Sequence, residues 1–215
     1  MSMFIYVVAT EERLRAGLRA AVSGCPSTFV QSYSSLGRFL ADAPECDSGI
    51  ILLGASHANY AQMLADLPSL SIQSGRFVVI FASENAEPGV VACAIKSGAH
   101  EFLPLPADRA AVAQVMSSAH AAVVDMAENL AEVAAAQALI SQLSDRENTV
   151  FLCLADGLTN RDIADRLHIS LRTVEVHRAR LMAKLGAGSF ALAIRLAYVA
   201  GFLPAHSGQT LAANT

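Results

Sequence analysis

Short apolar runs and helical stripes alternate along the first half of the chain. Phe4-Ile-Tyr-Val-Val8 is an uninterrupted apolar run of the kind that makes a strand buried on both faces. Leu14, Leu18 and Val22 follow at helical spacing, Phe29-Val30 marks a second short strand, and Leu36, Phe39 and Leu40 belong to a second helix. Ile50–Leu53 predicts a third strand, followed by a helix around Tyr60 to Leu67. Phe77–Phe81 predicts a fourth strand, and Val90 to Ser97 a fourth helix. Glu101-Phe-Leu103 is the fifth strand, and Pro104-Leu-Pro106 leads into a long helix. Strands alternating with helices predict a parallel sheet covered on both faces.

From Asp108 to about Leu143 there is no Gly or Pro and Ala dominates, which favours one continuous helix. Val112, Met116, Ala119, Val123, Met126, Leu130, Val133, Gln137 and Ile140 alternate four and three apart, a heptad stripe. At 1.5 Å per residue, about 35 residues span roughly 50 Å. The functional reading is a parallel coiled coil pairing two protomers through Val112, Met116, Ala119, Val123, Met126, Leu130, Val133 and Ile140. The alternative is a helix packed back on its own domain, its small Ala faces needing no partner.

Beyond it the period is helical throughout. Ser144 and Glu147 have the spacing of a capping box and open a helix that runs to about Ala155 and stops at Asp156-Gly157. Thr159 can cap a second helix, Asn160 to Leu167, and His168-Ile169-Ser170 is a tight turn into a third. Ser170 is a good N-cap for that helix, whose Val174, Leu181 and Leu185 mark one buried stripe. Its other faces carry Arg172, Arg178, Arg180 and Lys184 against one acid, Glu175. Gly186 closes it, and Ser189 caps a fourth helix carrying Leu192, Leu196 and Val199. A helix with one apolar side and a cationic outer side suits the major groove of DNA.

These residues carry a resemblance. Leu143-Ser-Asp-Arg-Glu147, Asp156-Gly-Leu-Thr-Asn160, Asp162-Ile-Ala164, Ile169-Ser170, Thr173-Val-Glu-Val-His177 and Met182-Ala-Lys-Leu185 resemble the LuxR-type DNA-binding domain, most closely its FixJ branch. The match runs without a gap over roughly residues 141 to 203. The five strand–helix units, with Lys96-Ser-Gly-Ala99 before Phe102 and Pro106 after the last strand, resemble the receiver domain of response regulators. The implied fold is an α/β receiver, a flavodoxin-like, doubly wound five-stranded parallel sheet. An all-α four-helix LuxR-type helix-turn-helix domain follows it. The expected divisions are a receiver over 1–120, a helical linker over 121–140, the DNA-binding domain over 141–204 and a disordered tail over 205–215.

The chemistry of the receiver is where this sequence departs from the pattern. A receiver takes a phosphoryl group onto an Asp at the end of its third strand, while acids after the first strand hold Mg²⁺. A Ser/Thr after strand four and a Lys after strand five hold the phosphoryl oxygens. The resemblance puts Gly54 at the phosphoacceptor, Ala9 and Thr10 at the acid pair, Ser83 at the Ser/Thr, Leu105 at the Lys and Phe102 at the aromatic switch. Sliding the first strand brings Glu11-Glu12 to the acid positions without restoring nucleophile or lysine. The expectation is a pseudo-receiver that does not take phosphate by the usual route. Ser56, Asp47 and His57 near the same rim read as solvated loop residues, and His100 and His168 as surface or turn residues.

Composition divides the chain. Of its 215 residues, 1–140 hold 13 acidic and 7 Lys/Arg side chains, whereas 141–215 hold 6 and 8, so a net charge of −4 hides a basic module attached to an acidic one. Cys25, Cys46, Cys93 and Cys153 are scattered, without metal-ligand spacing or a secretory signal, and read as reduced, mostly buried thiols of a cytoplasmic protein. No apolar run approaches the ~18 residues of a membrane span. No catalytic constellation, metal site or cofactor motif is found, so no enzyme is expected.

The resemblance places Glu175, Val176 and Arg178, with Ala179, where the recognition helix meets base edges. Arg suits guanine, a carboxylate suits cytosine N4 and Val suits a thymine methyl. Asn160, Arg161, Ser170, Arg172, Thr173, His177, Arg180 and Lys184 are candidate phosphate contacts, which fix register without reading sequence. The implied function is a DNA-binding transcription regulator independent of Asp phosphorylation, acting on double-stranded DNA as a homodimer. The other reading is a signalling adaptor whose receiver binds another protein. Control by protein level, by a partner or by a small ligand on the receiver's exposed face all remain open.

Overall fold

The computed structural model describes residues 3–24, 28–71 and 75–203. Cys25 and the expected tail over 205–215 lie outside them. The chain divides into two compact units, Met1–Glu128 and Asn129–Thr215.

The first unit contains five strands, β1 (Met3–Val8), β2 (Thr28–Tyr33), β3 (Gly49–Ala55), β4 (Phe77–Ser83) and β5 (Glu101–Pro104). They form one parallel sheet in the order β2-β1-β3-β4-β5. Between them run α1 (Glu12–Val22), α2 (Leu36–Asp42), α3 (Tyr60–Ser71) and α4 (Pro88–Lys96), and α5 (Arg109–Ile140) follows β5. The run Phe4–Val8, read as a strand buried on both faces, is buried from Ile5 to Val8 with Phe4 half-buried, and every residue of β3 and β4 is buried. β2 sits at the edge and is only partly covered, with Phe29 59% exposed.

Two apolar layers sandwich the sheet. On one side Tyr6, Ile51, Leu53, Val79 and Phe81 pack with Phe39 of α2, Leu67 of α3 and Ala94 of α4. On the other, Ile5, Val7, Leu52 and Ile80 pack with Leu18 and Val22 of α1 and with Val112, Val115, Met116 and Ala119 of α5. In this strand order the chain reverses direction between β1 and β3, and the crevice beyond their carboxyl ends is where such sheets do their chemistry.

That second layer corrects the expected dimer stripe. Val112, Met116 and Ala119 are buried in their own unit, with Val123 and Met126 half-buried against the same cluster. Ile140 is buried in the core of the second unit, near the end of the same helix. Heptad spacing is satisfied equally by a partner helix and by the chain's own cores, and here each unit takes one end. Leu130, 50% exposed, and the half-buried Val133 are what remains open. The helix has 32 residues, about 48 Å at 1.5 Å per residue.

The second unit adds α6 (Asp145–Ala155), α7 (Asn160–Leu167), α8 (Leu171–Lys184) and α9 (Phe190–Val199). Phe151, Ile163, Val174, Leu181, Ala193 and Ala197 form its core with Ile140 and Leu143. Among the described residues no helix is long and apolar enough to cross a membrane. The thiols depart from expectation: Cys153 is buried, but Cys46 is half-buried and Cys93, on the outer side of α4, is exposed.

Candidate functional site

Local hydrogen bonding fixes each end of the helix-turn-helix. Ser144 N–H donates to Glu147 Oε2 at 2.8 Å and Glu147 N–H to Ser144 Oγ at 3.4 Å, the capping box its spacing predicts. A second box, which the sequence reading missed, opens α7. Asp162 N–H donates to Thr159 Oγ1 at 3.2 Å and Thr159 N–H to Asp162 Oδ2 at 3.0 Å. The Thr-x-x-Asp spacing was the available signal. The Thr159 hydroxyl also donates to that carboxylate at 2.6 Å, and these bonds hold the Asp162 carboxyl below its ordinary range.

His168 ends α7 in the left-handed region, with φ of 55°, and turns the chain into Ser170. Ser170 Oγ accepts from Thr173 N–H at 3.1 Å and shares a 2.8 Å hydrogen bond with the Thr173 hydroxyl. The start of α8 is thereby pinned. Val174 and Leu181 turn inward and are fully buried.

The opposite side of α8 is open. Arg172, Glu175, Val176 and Ala179 lie at i, i+3, i+4 and i+7, share one face and are exposed, Val176 to 40%. Arg180 stands exposed on one flank. Arg178 stands on the other, where its Nη1 donates to Asn160 Oδ1 of α7 at 3.4 Å. Arg161, on the first turn of α7, is also exposed. None of these four guanidiniums pairs with a carboxylate among the described residues. The surface is cationic, shaped as a single projecting helix, with one acid and one aliphatic side chain at its centre.

Two expected phosphate contacts are placed differently. Lys184 does not reach outward: its Nζ donates to the buried Glu147 carboxylate at 2.6 Å and to the Gln142 carbonyl at 3.0 Å. The hydrogen bond from Lys184, with that from the Ser144 amide, lowers the Glu147 carboxyl from 4.5 to about 2. A carboxylate 3% exposed needs a cation, and Lys184 supplies it. His177 is half-buried and its Nδ1 is turned inside, without a hydrogen-bond partner among the described residues.

At the other unit, the carboxyl edge of the sheet gathers the residues that the receiver pattern singles out. Ala9 and Ser83 are fully buried, Gly54 lies one residue before the end of β3 beside Ala82, and the half-buried Leu105 follows β5. Ser83 Oγ accepts from Asn85 N–H at 3.1 Å, and the Phe102 ring lies 6.0 Å from Phe81. A Cβ on Gly54 would lie 2.5 Å from Leu18 Cδ1, 3.2 Å from Ala9 Cβ and 3.3 Å from Leu14 Cδ2. A side chain at 54 would therefore have to displace the end of the Leu18 side chain.

The rim above is tied off by the chain's own groups. Asn59 Nδ2 donates to Thr10 Oγ1 at 2.7 Å, Arg15 Nη1 to the Ala9 carbonyl at 2.6 Å, and Ser56 Oγ to Glu11 Oε1. Ser56, expected in solvent, is 5% exposed, because this bond and those around Asn59 fold it under the loop. Asp47 and His57 are exposed, as are His100 and His168. Among the described residues no three His, Cys, Asp or Glu side chains gather to hold a metal ion.

Comparison with known proteins agrees with this geometry. Residues 141–197 match the family described as bacterial regulatory proteins, luxR family. The transcriptional regulatory protein FixJ of Rhizobium meliloti is 30% identical over 202 residues, covering 93% of this chain and 97% of that protein. The C4-dicarboxylate transport transcriptional regulatory protein DctR of Rhodobacter capsulatus is 31% identical over 199 residues, 89% of this chain and 97% of that one. Full-length FixJ from B. japonicum superposes with a TM-score of 0.52 at 26% identity, over 95% of this chain and all of that structure.

Proposed function

The chain belongs to the FixJ-type response-regulator transcription factors with a LuxR-family DNA-binding domain, and we propose that it regulates promoters without accepting phosphate on an aspartate. The observation that carries the proposal is position 54. It has no nucleophile, and a side chain there would have to displace the end of Leu18 and crowd Ala9 and Leu14. Phosphoryl transfer is positioning plus electrostatic stabilisation around an acceptor oxygen. Here the acceptor is Gly54, the lysine position is Leu105 and the acid positions are Ala9 and Thr10. Glu11 and Glu12 stand nearby, but Ser56 donates to the first and Arg15 pairs with the second.

On DNA, α8 enters the major groove. Glu175, Val176, Arg178 and Ala179 meet base edges, while Asn160, Arg161, Ser170, Arg172, Thr173 and Arg180 meet phosphates. The open outer face of α8, with its three guanidiniums and that of Arg161 on α7 paired to no carboxylate among the described residues, supports this assignment. Lys184 is left out of it, being held by Glu147.

Two copies act together on half-sites about one helical turn apart. Leu130 and Val133 span less than one heptad, short of the three to four that sustain a coiled coil. The contact is therefore weak in solution and forms on adjacent half-sites. Leu130→Glu with Val133→Glu should abolish cooperative binding to a two-half-site fragment and leave single half-site binding unchanged.

Acetyl phosphate with Mg²⁺, followed by intact-mass measurement and promoter-fragment binding, tests the central claim. No added phosphate and identical binding are expected. A phosphorylated species that binds more tightly would overturn it.

A further inference from the structure

We propose that the first unit binds a neutral, largely hydrocarbon small molecule in a cavity between α1 and α5. The inference rests on the reading that the receiver does not take phosphate, since it gives the same edge of the sheet a different ligand.

The cavity measures about 630 Å³, within the roughly 300–1,000 Å³ range of small-molecule sites. Its floor is Leu52, Ile80 and Leu103 of β3, β4 and β5, each at most 2% exposed, and its walls include Leu18 of α1 with Val115 and Met116 of α5. Leu105, where the pattern has a lysine, is on the lining, so no cation reaches in from that loop. The polar side chains of the lining are Glu11, Arg13 and Glu84, all exposed at the mouth. No side chain of the floor or walls can hydrogen-bond a guest. A polar molecule would lose its hydration without replacement, whereas a hydrocarbon exchanges water for aliphatic contact. Two carboxylates against one guanidinium at the mouth disfavour an anion.

The opening lies along α1. Gly17 and Ala21 are one turn apart on the lining, both exposed, and a Cβ on Gly17 would meet no atom within 4 Å. Small residues there keep the entrance wide. Val115 and Met116 belong to α5, the helix that continues past the end of the unit at Glu128. A guest seated against its first turns bears on the segment that leads to the DNA-binding helices.

The test uses the full-length protein and the neutral fluorophore N-phenyl-1-naphthylamine, titrated against wild type, the Gly17→Leu/Ala21→Phe double variant and, as a second filling variant, Ala107→Leu, a position also on the lining. Circular dichroism verifies that each is folded. The expected result is one saturable site in wild type, at least tenfold weaker in a folded filling variant. The anionic 1-anilinonaphthalene-8-sulfonate should bind at least tenfold more weakly than the neutral probe. Absence of saturable binding, or binding undiminished in the folded filling variants, overturns the site. Equal binding of the sulfonate overturns the assigned ligand class. A parallel incubation with acetyl phosphate and Mg²⁺ is read by intact mass alone: added phosphate refutes the phosphate-free reading, whereas the probe titration judges the cavity.

Discussion

Lys184 separates two accounts of the DNA-binding unit, because a phosphate contact and a buried strut fail differently when removed. Glu147 is 4% exposed at its side chain and Lys184 38%. A carboxyl lowered from 4.5 to about 2 is worth about 3 kcal/mol at 1.36 kcal/mol per pKa unit, and solvent around the ammonium reduces this to about 2 kcal/mol. Lys184→Ala removes the cation and leaves the carboxylate buried, with only the Ser144 amide to satisfy it. We expect a loss of about 2–3 kcal/mol, toward the lower end of what breaking a buried pair costs. For a domain of this size that lowers the melting temperature by roughly 10–20 °C.

The sign of the pH dependence follows from the direction of the shift. The folded-state pKa of Glu147 is depressed, so its contribution is fully present above about pH 4.5 and is lost as pH falls from there toward 2. Thermal melts of wild type and Lys184→Ala should therefore differ most near neutrality and converge in acid. The double change Glu147→Gln with Lys184→Met should recover most of the loss at neutral pH, since no buried charge is left unpaired. If Lys184→Ala instead melts with wild type and weakens all DNA sequences alike, with a salt slope reduced by about one, the strut is wrong and Lys184 touches phosphate.

Three further outcomes follow from single positions. Arg178→Ala should cost about 1–3 kcal/mol on a specific promoter fragment and little on random duplex, measured by titration at fixed salt; equal losses on both would remove Arg178 from base reading. Gly54→Asp should destabilise the first unit by about 1–3 kcal/mol in urea, because Leu18 must swing aside for a carboxylate set among Ala9, Leu14 and Leu18, and should not gain phosphate from acetyl phosphate. A more stable or phosphorylatable variant would contradict that packing. His168→Gly should stabilise the second unit by about 1 kcal/mol, since φ of 55° strains a residue with a Cβ; an unchanged or lower melting temperature would show that the imidazole earns its place by another contact.

What could be read from the chain alone was what is decided locally. A strand buried on both faces must be apolar at every position, so β1, β3 and β4 announce themselves as runs. A cap needs its acceptor two or three residues from the donor it satisfies, so Ser144, Thr159, Ser170 and Ser189 are all legible in sequence. Lys184 was misread for the complementary reason. Its partner is Glu147, far along the chain, and a basic residue at the end of a basic helix has the same composition whether it faces DNA or a buried carboxylate. Ser56 was misread likewise, its partner being Glu11.

The heptad stripe of α5 and the cavity beside it expose the same limit from two sides. A period of three and four specifies that a helix has an apolar face, and the sheet surface offered by Leu52 and Ile80 satisfies that face as fully as a second helix would. The burial of Val112, Met116 and Ala119 thus follows from which surface is already present in the same chain. The neighbouring void is set by what that packing leaves unfilled. Leu18 leans toward the space above Gly54, Gly17 and Ala21 place almost nothing opposite Val115, and Leu105 stops where a lysine would have crossed. Gly54 and Leu105 place no charge at the carboxyl edge of the sheet. Leu105 and the other inner side chains of the cavity lining carry no polar group, which favours a guest that is itself largely apolar.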